Sequence, residues 1–256
     1  MIMQTLYKIF ENGPAYVAYL TAGDGGLNRT LEAMCALCDG GVNIIELGVP
    51  FSDPTADGPV IQQASSRALS AGTTIFDVLE LAKQFKQKRS IPIVLFSYYN
   101  PVLSAMEHDF FVKAKEAGID GILIVDLPIE ESESYREQCL QVGIAPIFIL
   151  TPASSEERIK MITEKAEGFI YYACRKGTTG IRSDLPADFN QKISTIKKMT
   201  TKPIVVGFGI SNSQQAKEVL SYVQGFVVGS YFVKASAEGK SVDELKVLAK
   251  NIHPRM

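Results

Sequence analysis

What most limits the folds open to this chain is an alternation. Eight short apolar runs, Tyr16–Thr21, Val42–Gly48, Ile93–Ser97, Gly121–Val125, Pro146–Leu150, Gly168–Tyr172, Ile204–Gly207 and Gly225–Val228, are separated by segments with helical patterning. The runs are rich in Val, Ile, Phe and Tyr, and several are apolar on both faces, as strands covered on both sides of a parallel sheet are. The intervening segments carry helix punctuation. Ser154 with Glu157, Ser211 with Gln214 and Ser241 with Glu244 fit the capping box, and Gly40 and Gly143 follow helical runs where a left-handed residue is wanted. Ala216, Val219, Leu220 and Val223 share one helical stripe, and Tyr135, Cys139 and Val142 share another. Eight βα units in ~250 residues match a (β/α)8, or TIM, barrel with parallel strands. A doubly wound open sheet is the alternative, but its dinucleotide turn needs G-x-G-x-x-G after the first strand. Ala22-Gly-Asp-Gly-Gly26 lacks that spacing, so the barrel is favoured. Met1–Lys8 reads as an extra amphipathic helix ahead of the first strand. No linker or composition shift divides residues 1–256, which are expected to form a single domain.

Composition narrows the function classes. The 256 residues are 46% hydrophobic, enough to bury a large core without metal or disulfide staples. The net charge of -2 and the lack of a basic stripe speak against nucleic acid as a partner. No run approaches the ~20 apolar residues of a membrane span, and the first residues lack the pattern of a signal peptide, so a cytoplasmic location is expected. Cys35 and Cys38 form a C-x-x-C that suggests redox or metal chemistry. They also lie on the apolar stripe Leu31, Met34, Cys35, Cys38. With His108 and His253 as the two histidines, a zinc site would lack ligands, so structural cysteines and no metal are expected.

The segment Glu46-Leu-Gly-Val-Pro-Phe-Ser-Asp53-Pro-Thr-Ala-Asp57-Gly58 carries the strongest chemical signal. Glu46 ends an apolar strand, where an ionised carboxylate is costly unless paired or hydrogen-bonded. It is either a strand-end acid bridged to a Lys or Arg, or an acid kept for use. In barrels the reacting groups stand where strands end and βα loops begin. Asp57, eleven positions on, falls in the following loop, so the two can meet at the barrel mouth. Glu46 would be rigid and desolvated with a raised pKa; Asp57 would be mobile and more easily ionised. Such a split suits acid–base work near neutral pH. A second signal is glycine at the last three strand ends: Gly177-Thr-Thr-Gly180, Gly207-Phe-Gly209 and Gly229-Ser230. These are either turn glycines or a phosphate cradle, and their coincidence at the end of a barrel where phosphate commonly binds favours the cradle. No lysine stands at a strand end as an imine former; Lys176 and Lys202 fall in loops and are expected to be solvated.

These segments, together with Tyr19-Leu-Thr-Ala-Gly-Asp24, Tyr98-Tyr-Asn-Pro101, Asp126-Leu-Pro128, Ala145-Pro-Ile-Phe148, Gly207-Phe-Gly-Ile210 and Val228-Gly-Ser230, closely resemble the α subunit of tryptophan synthase. The likeness spans nearly the whole length, and the Glu46–Pro59 run is its most specific part. The resemblance implies a lyase: retro-aldol cleavage of indole-3-glycerol phosphate to indole and glyceraldehyde 3-phosphate. It gives Glu46 the proton transfers at indole C3 and the glycerol hydroxyl, and Asp57 the stabilisation of charge at the indole N–H. It places phosphate at Gly180, Gly209, Gly229 and Ser230, with Phe208 alongside. It places indole at Tyr19, Ile61, Phe96, Leu123, Val125, Ile149 and Tyr171, each of which is also readable as ordinary strand-end core. Tyr98 falls among the substrate-binding residues. Thr179 matches a threonine of a flexible lid, Arg175 to Leu185, that closes toward Asp57. The resemblance further implies an α2β2 complex with a β subunit that holds pyridoxal phosphate, no cofactor on this chain, and a subunit contact through Ser52–Pro54.

Gly25, Ser65 and Thr178 depart from the family's usual Pro, Asn and Val, which bears on rate and lid behaviour rather than on the reaction. Two other readings compete. A barrel could serve only to activate its β partner, but that would be signalled by loss of an acid or a glycine cradle, and neither is lost. A phosphoribosylanthranilate isomerase or a pentose-phosphate epimerase would share the phosphate loops, but not the Glu46–Pro59 run.

Overall fold

The computed structural model describes residues 4–174 and 185–254. Eight parallel strands close into a barrel in sequence order, with β8 returning to β1. Helix α1 (Gln4–Asn12) leads into β1 (Ala15–Thr21), α2 (Leu27–Asp39) and β2 (Ile44–Gly48). Helices α3 (Pro59–Ser70) and α4 (Ile75–Lys88) precede β3 (Ile93–Ser97), and α5 (Tyr99–Met106) and α6 (Phe110–Glu116) precede β4 (Gly121–Ile124). A short 3-10 turn (Ile129–Glu131) and α7 (Glu133–Val142) lead to β5 (Ala145–Leu150), α8 (Glu156–Lys165) and β6 (Ile170–Ala173). Then follow α9 (Phe189–Met199), β7 (Ile204–Gly207), α10 (Ser213–Leu220), β8 (Gly225–Val228), α11 (Ser230–Ala237) and α12 (Val242–Ile252). All eight expected strands are present, with ends shifted by two residues or fewer.

The strands are apolar on both faces because each face packs on something different. Tyr16, Ala18 and Leu20 of β1, with Ile45 and Leu47 of β2, point outward into one large core shared with the helices. Val17 and Tyr19, with Ile44, Val94, Leu123, Ile147, Val205 and Val227, point inward and fill the barrel. The period of two along each strand separates the two cores. Helix α1 closes the N-terminal end: Leu6 is buried in the inner core, and Phe10 meets Phe169 edge-on at 6.0 Å.

Punctuation was partly displaced from its expected positions. Ser241 and Glu244 form the expected capping box on α12. For α8 and α10 the caps are Ser155 and Asn212, one residue after the serines that the pattern suggested. Ser154 instead accepts a hydrogen bond from the Thr151 N–H, and Ser211 donates to the Gln215 side chain. Gly143 is left-handed as expected, at φ 72°. Gly40 is not (φ -89°); it is small because a Cβ there would lie 2.5 Å from the Ala249 Cβ, where α2 crosses α12. Lys202 is half-buried rather than solvated, and its ammonium donates to the Thr163 carbonyl at 2.9 Å; Lys176 lies outside the described residues. Cys35 and Cys38 are half-buried free thiols on α2, and burial pushes the Cys38 thiol up to about 12, so it stays protonated. No helix among the described residues is long and apolar enough to cross a membrane.

Candidate active site

Strand register sets the mouth of the barrel. Tyr19 stands beside Glu46, Gly48 beside Phe96, Phe96 beside Leu123, and Ile149 beside Tyr171. These inward positions at the C-terminal strand ends form one cluster, joined by Ile61 from α3 and by Val125 just past β4. The seven residues assigned to an indole pocket are therefore brought together. Two glycines make this possible. A Cβ on Gly48 would lie 2.3 Å from the Tyr19 hydroxyl oxygen, and one on Gly207 would lie 2.7 Å from that of Tyr171. Each glycine leaves room for a tyrosine from the neighbouring strand to lie across the mouth.

Glu46 sits among these apolar groups. It is 2% exposed, and no lysine or arginine bridges it among the described residues. Its Oε1 is fully buried with no hydrogen-bond partner there. Burial, and then the nearby charge of Asp57, push its pKa up to about 8. A strand-end ion pair is thus excluded within the described residues, and the carboxyl is mostly protonated at neutral pH.

Asp57 departs from the mobile acid that its loop suggested. It is 3% exposed. The Tyr98 hydroxyl donates to its Oδ2 at 2.9 Å and accepts the Ala56 N–H at 3.1 Å. Its backbone is tied by its own N–H to the Pro54 carbonyl and by the Gln62 side chain to its carbonyl. Helix α3 then starts at once, with Gly58 as cap and Pro59 in the first turn. Burial raises the Asp57 pKa to about 6, while the Tyr98 hydrogen bond opposes the rise. Near pH 7 one acid is protonated and the other ionised, the split that acid–base chemistry uses. Tyr19 and Tyr171 face both carboxylates; burial first, and then the carboxylate charges, hold the two phenols protonated.

A sequence model of the family described as "Tryptophan synthase alpha chain" matches residues 7–254. The chain belongs to this family. The tryptophan synthase alpha chain of Coxiella burnetii (strain CbuK_Q154) is 54% identical over 252 residues, covering 98% of both chains. A structure of tryptophan synthase from Mycobacterium tuberculosis superposes with a TM-score of 0.89 at 30% identity, covering 96% of both chains. The tryptophan synthase subunit alpha of Legionella pneumophila str. Paris gives 0.87 at 32% identity, covering 98% of this chain and 96% of that one. The reaction of the tryptophan synthase alpha chain is the lyase cleavage of indole-3-glycerol phosphate in tryptophan biosynthesis.

The expected phosphate end of the barrel lies partly within the described residues. Gly207 pairs with Val227, so the loops after β7 and β8 leave the sheet side by side. Gly209 takes a positive φ of 83°, and Gly229 caps α11, whose first residue is the buried Ser230. A Cβ on Gly229 would meet Tyr19 at ordinary contact distances of 3.6 Å and more, so there is space beside this glycine. The N-terminus of α11 directs backbone N–H groups and positive dipole to the mouth. The Phe208 side chain belongs to the outer core, which leaves its backbone as the part beside the loop. Thr179, Gly180 and the 175–185 segment, Leu185 apart, lie outside the described residues.

Sequence reading missed the clamp on Asp57 and the ion pair of Asp24 with Arg67. Arg67 binds both Asp24 oxygens, at 2.7 and 2.9 Å, and ties the loop after β1 to α3. An acid and a base 43 residues apart leave no local pattern to find.

Proposed function

We propose that Glu46 and Asp57 carry the cleavage of indole-3-glycerol phosphate, Glu46 as the proton shuttle and Asp57 as the fixed negative charge. The observation that carries this is the ionisation split between two buried carboxylates at one barrel mouth. Protonated Glu46 gives its proton to indole C3, and the ring becomes an indolenine with positive charge at nitrogen. Ionised Asp57 accepts a hydrogen bond from that N–H and stabilises the charge. Glu46, now a carboxylate, takes the proton of the glycerol hydroxyl. The carbon–carbon bond breaks, its electron pair returns to the indole ring, and the former carbinol becomes the aldehyde of glyceraldehyde 3-phosphate. Glu46 ends protonated, as it began. Proton transfer of this kind supplies about 10²–10⁴ in rate, and surrounding burial strengthens the interaction with Asp57.

Tyr19, Ile61, Phe96, Leu123, Val125, Ile149 and Tyr171 form the apolar walls for indole. Gly180, Gly209, Gly229 and Ser230 hold the phosphate, with the Phe208 backbone alongside and the α11 dipole behind them. Thr179 is the further residue assigned to substrate. The partner is a tryptophan synthase β chain in an α2β2 complex; pyridoxal phosphate belongs to that partner and no cofactor to this chain. Exposed Ser52 and Asp53, with Pro54, line a groove of about 510 Å³ beside Phe51, Gln62 and Leu69, which supports this face as the contact. The site of action is the cytoplasm.

Release of indole from indole-3-glycerol phosphate tests the proposal, with the chain alone and with a β chain. Glu46→Gln should abolish turnover and leave assembly intact. A variant that still cleaves at the original rate would remove Glu46 from the reaction. A native chain that stimulates its partner yet releases no indole would be a purely activating subunit.

A further inference from the structure

Tyr98 is placed differently from the other residues expected to bind substrate. It lies outside the inner cluster, at the cap of α5, and is 2% exposed. Its ring is stacked on Phe51 at 5.0 Å and 29°. Its hydroxyl is engaged on both sides, donating to Asp57 Oδ2 and accepting from the Ala56 N–H. A phenol with one proton cannot also donate to substrate while it holds Asp57. We propose that Tyr98 is a positioning residue: it fixes Asp57 by one oxygen, so that the other is presented to the indole N–H. This rests on the roles given above to Glu46 and Asp57.

The physical reason is preorganisation. A carboxylate at a loop position has free rotation about its side-chain bonds, and the charge on the indole develops only as C3 takes up its proton. An acceptor already aimed at that charge has no reorganisation to make when it develops. Tyr98 supplies the aim from the junction where β3 passes into α5, and the Ala56 N–H holds the phenol in turn. The same hydrogen bond favours the ionised form of Asp57, against the burial that raises its pKa. The titratable groups facing Asp57 are Glu46 on β2, Tyr19 on β1 and Tyr171 on β6, while Asp126 beyond β4 reaches Tyr98. Tyr98 is the one that bonds its side chain directly among the described residues.

The test is glyceraldehyde 3-phosphate release by the full chain assembled with a β chain, followed against pH for Tyr98→Phe. Phenylalanine keeps the ring on Phe51 and loses only the hydroxyl. The expected result is a fall in kcat of about tenfold or more with KM within about twofold, and an acidic limb moved up by about one pH unit. In an Asp57→Asn background the same change should cost almost nothing, because Tyr98 acts through Asp57. A change confined to KM, or an equal loss in both backgrounds, would overturn the proposal. If Tyr98→Phe fails to fold, 3-fluorotyrosine at position 98 replaces it. That residue is a stronger donor of nearly the same size and should move the acidic limb down; an unmoved limb would overturn the proposal. Asp57→Asn cleaving at the native rate would instead sink the assignment of Asp57 itself, so the two failures are told apart.

Discussion

At the scale of single residues the site is governed by the cost of burying charge. Glu46 has a pKa of about 8 in the fold against about 4.5 for an unperturbed glutamate. Between those values the folded chain binds more protons than the unfolded chain, so stability falls as pH rises through that window. The slope for one such group approaches about 1.4 kcal/mol per pH unit. Glutamine does not titrate, so Glu46→Gln should match the native chain near pH 5 and become more stable than it toward pH 8. Urea unfolding at a series of pH values checks this; a stability difference that does not change with pH would mean Glu46 is not buried as an acid. With the roles proposed for them, the same two groups should set the pH dependence of turnover. Asp57 must then be ionised and Glu46 protonated, so kcat/KM should rise through about 6, fall through about 8 and be bell-shaped. The limbs belong to the pair and are measured as such. A rate that is flat from pH 5 to 9 would exclude this pairing. Sequence exposed the two acids because a carboxylate in an apolar strand is locally odd. It did not expose their surroundings: Tyr98 lies 41 residues from Asp57, and no local pattern links a phenol to an acid at that distance. Asp57 was expected to be mobile because its loop is rich in Pro, Gly and Asp, but Tyr98, the Pro54 carbonyl and Gln62 hold it in place.

At the scale of elements, strand register does the positioning. Gly48 ends β2 beside Phe96 and lies under the Tyr19 hydroxyl. Gly48→Ala would push a Cβ to 2.3 Å from that oxygen, which forces the ring or the strand to shift. The expected cost is about 1–3 kcal/mol of stability, as for other overpacked sites, with turnover reduced because Tyr19 and Glu46 are neighbours. Replacing Tyr19 by Leu in the same chain should recover the stability, since the clash is with the phenol tip. Thermal unfolding of the single and double variants measures both. The helix ends follow a more local rule. Ser241→Ala on α12 removes a closed capping box and should cost about 1 kcal/mol, with kcat and KM unchanged. Elements were legible where the signal is local: apolar runs marked all eight strands, and Ser241 with Glu244 marked a true cap. The pattern slipped by one residue at Ser154 and Ser211, because Ser155 and Asn212 are equally good caps and only the backbone geometry chooses between them. The purpose of Gly48, Gly207 and Gly40 was illegible, since each depends on what the neighbouring element places opposite.

At the scale of the whole molecule, the two ends of the barrel divide the work. The C-terminal end holds the acids, the glycine loops and the mouth, while the N-terminal end is stoppered by α1. Closure was foreseeable from the count of eight units, but the stopper's seat was not. It depends on Gly121 and Gly168, which have Leu6 Cδ1 within 3.3 and 3.1 Å of where their Cβ atoms would be. Leu6 is 1% exposed and reaches the inner core from outside the sheet. Leu6→Ala would leave a cavity that a closed ring of strands cannot collapse to fill, so the expected loss is about 2–5 kcal/mol. The tie between Tyr7 and Glu167 at 2.8 Å keeps α1 seated, so the variant should fold with a lower Tm rather than lose the helix. Because the layers of inward side chains separate Leu6 from Glu46, kcat and its pH profile should be unchanged below the new Tm. Equilibrium unfolding beside a turnover assay decides the matter. A large fall in kcat with little change in stability would mean that the two ends of the barrel are coupled, and that the lower end is part of the catalytic device rather than its support.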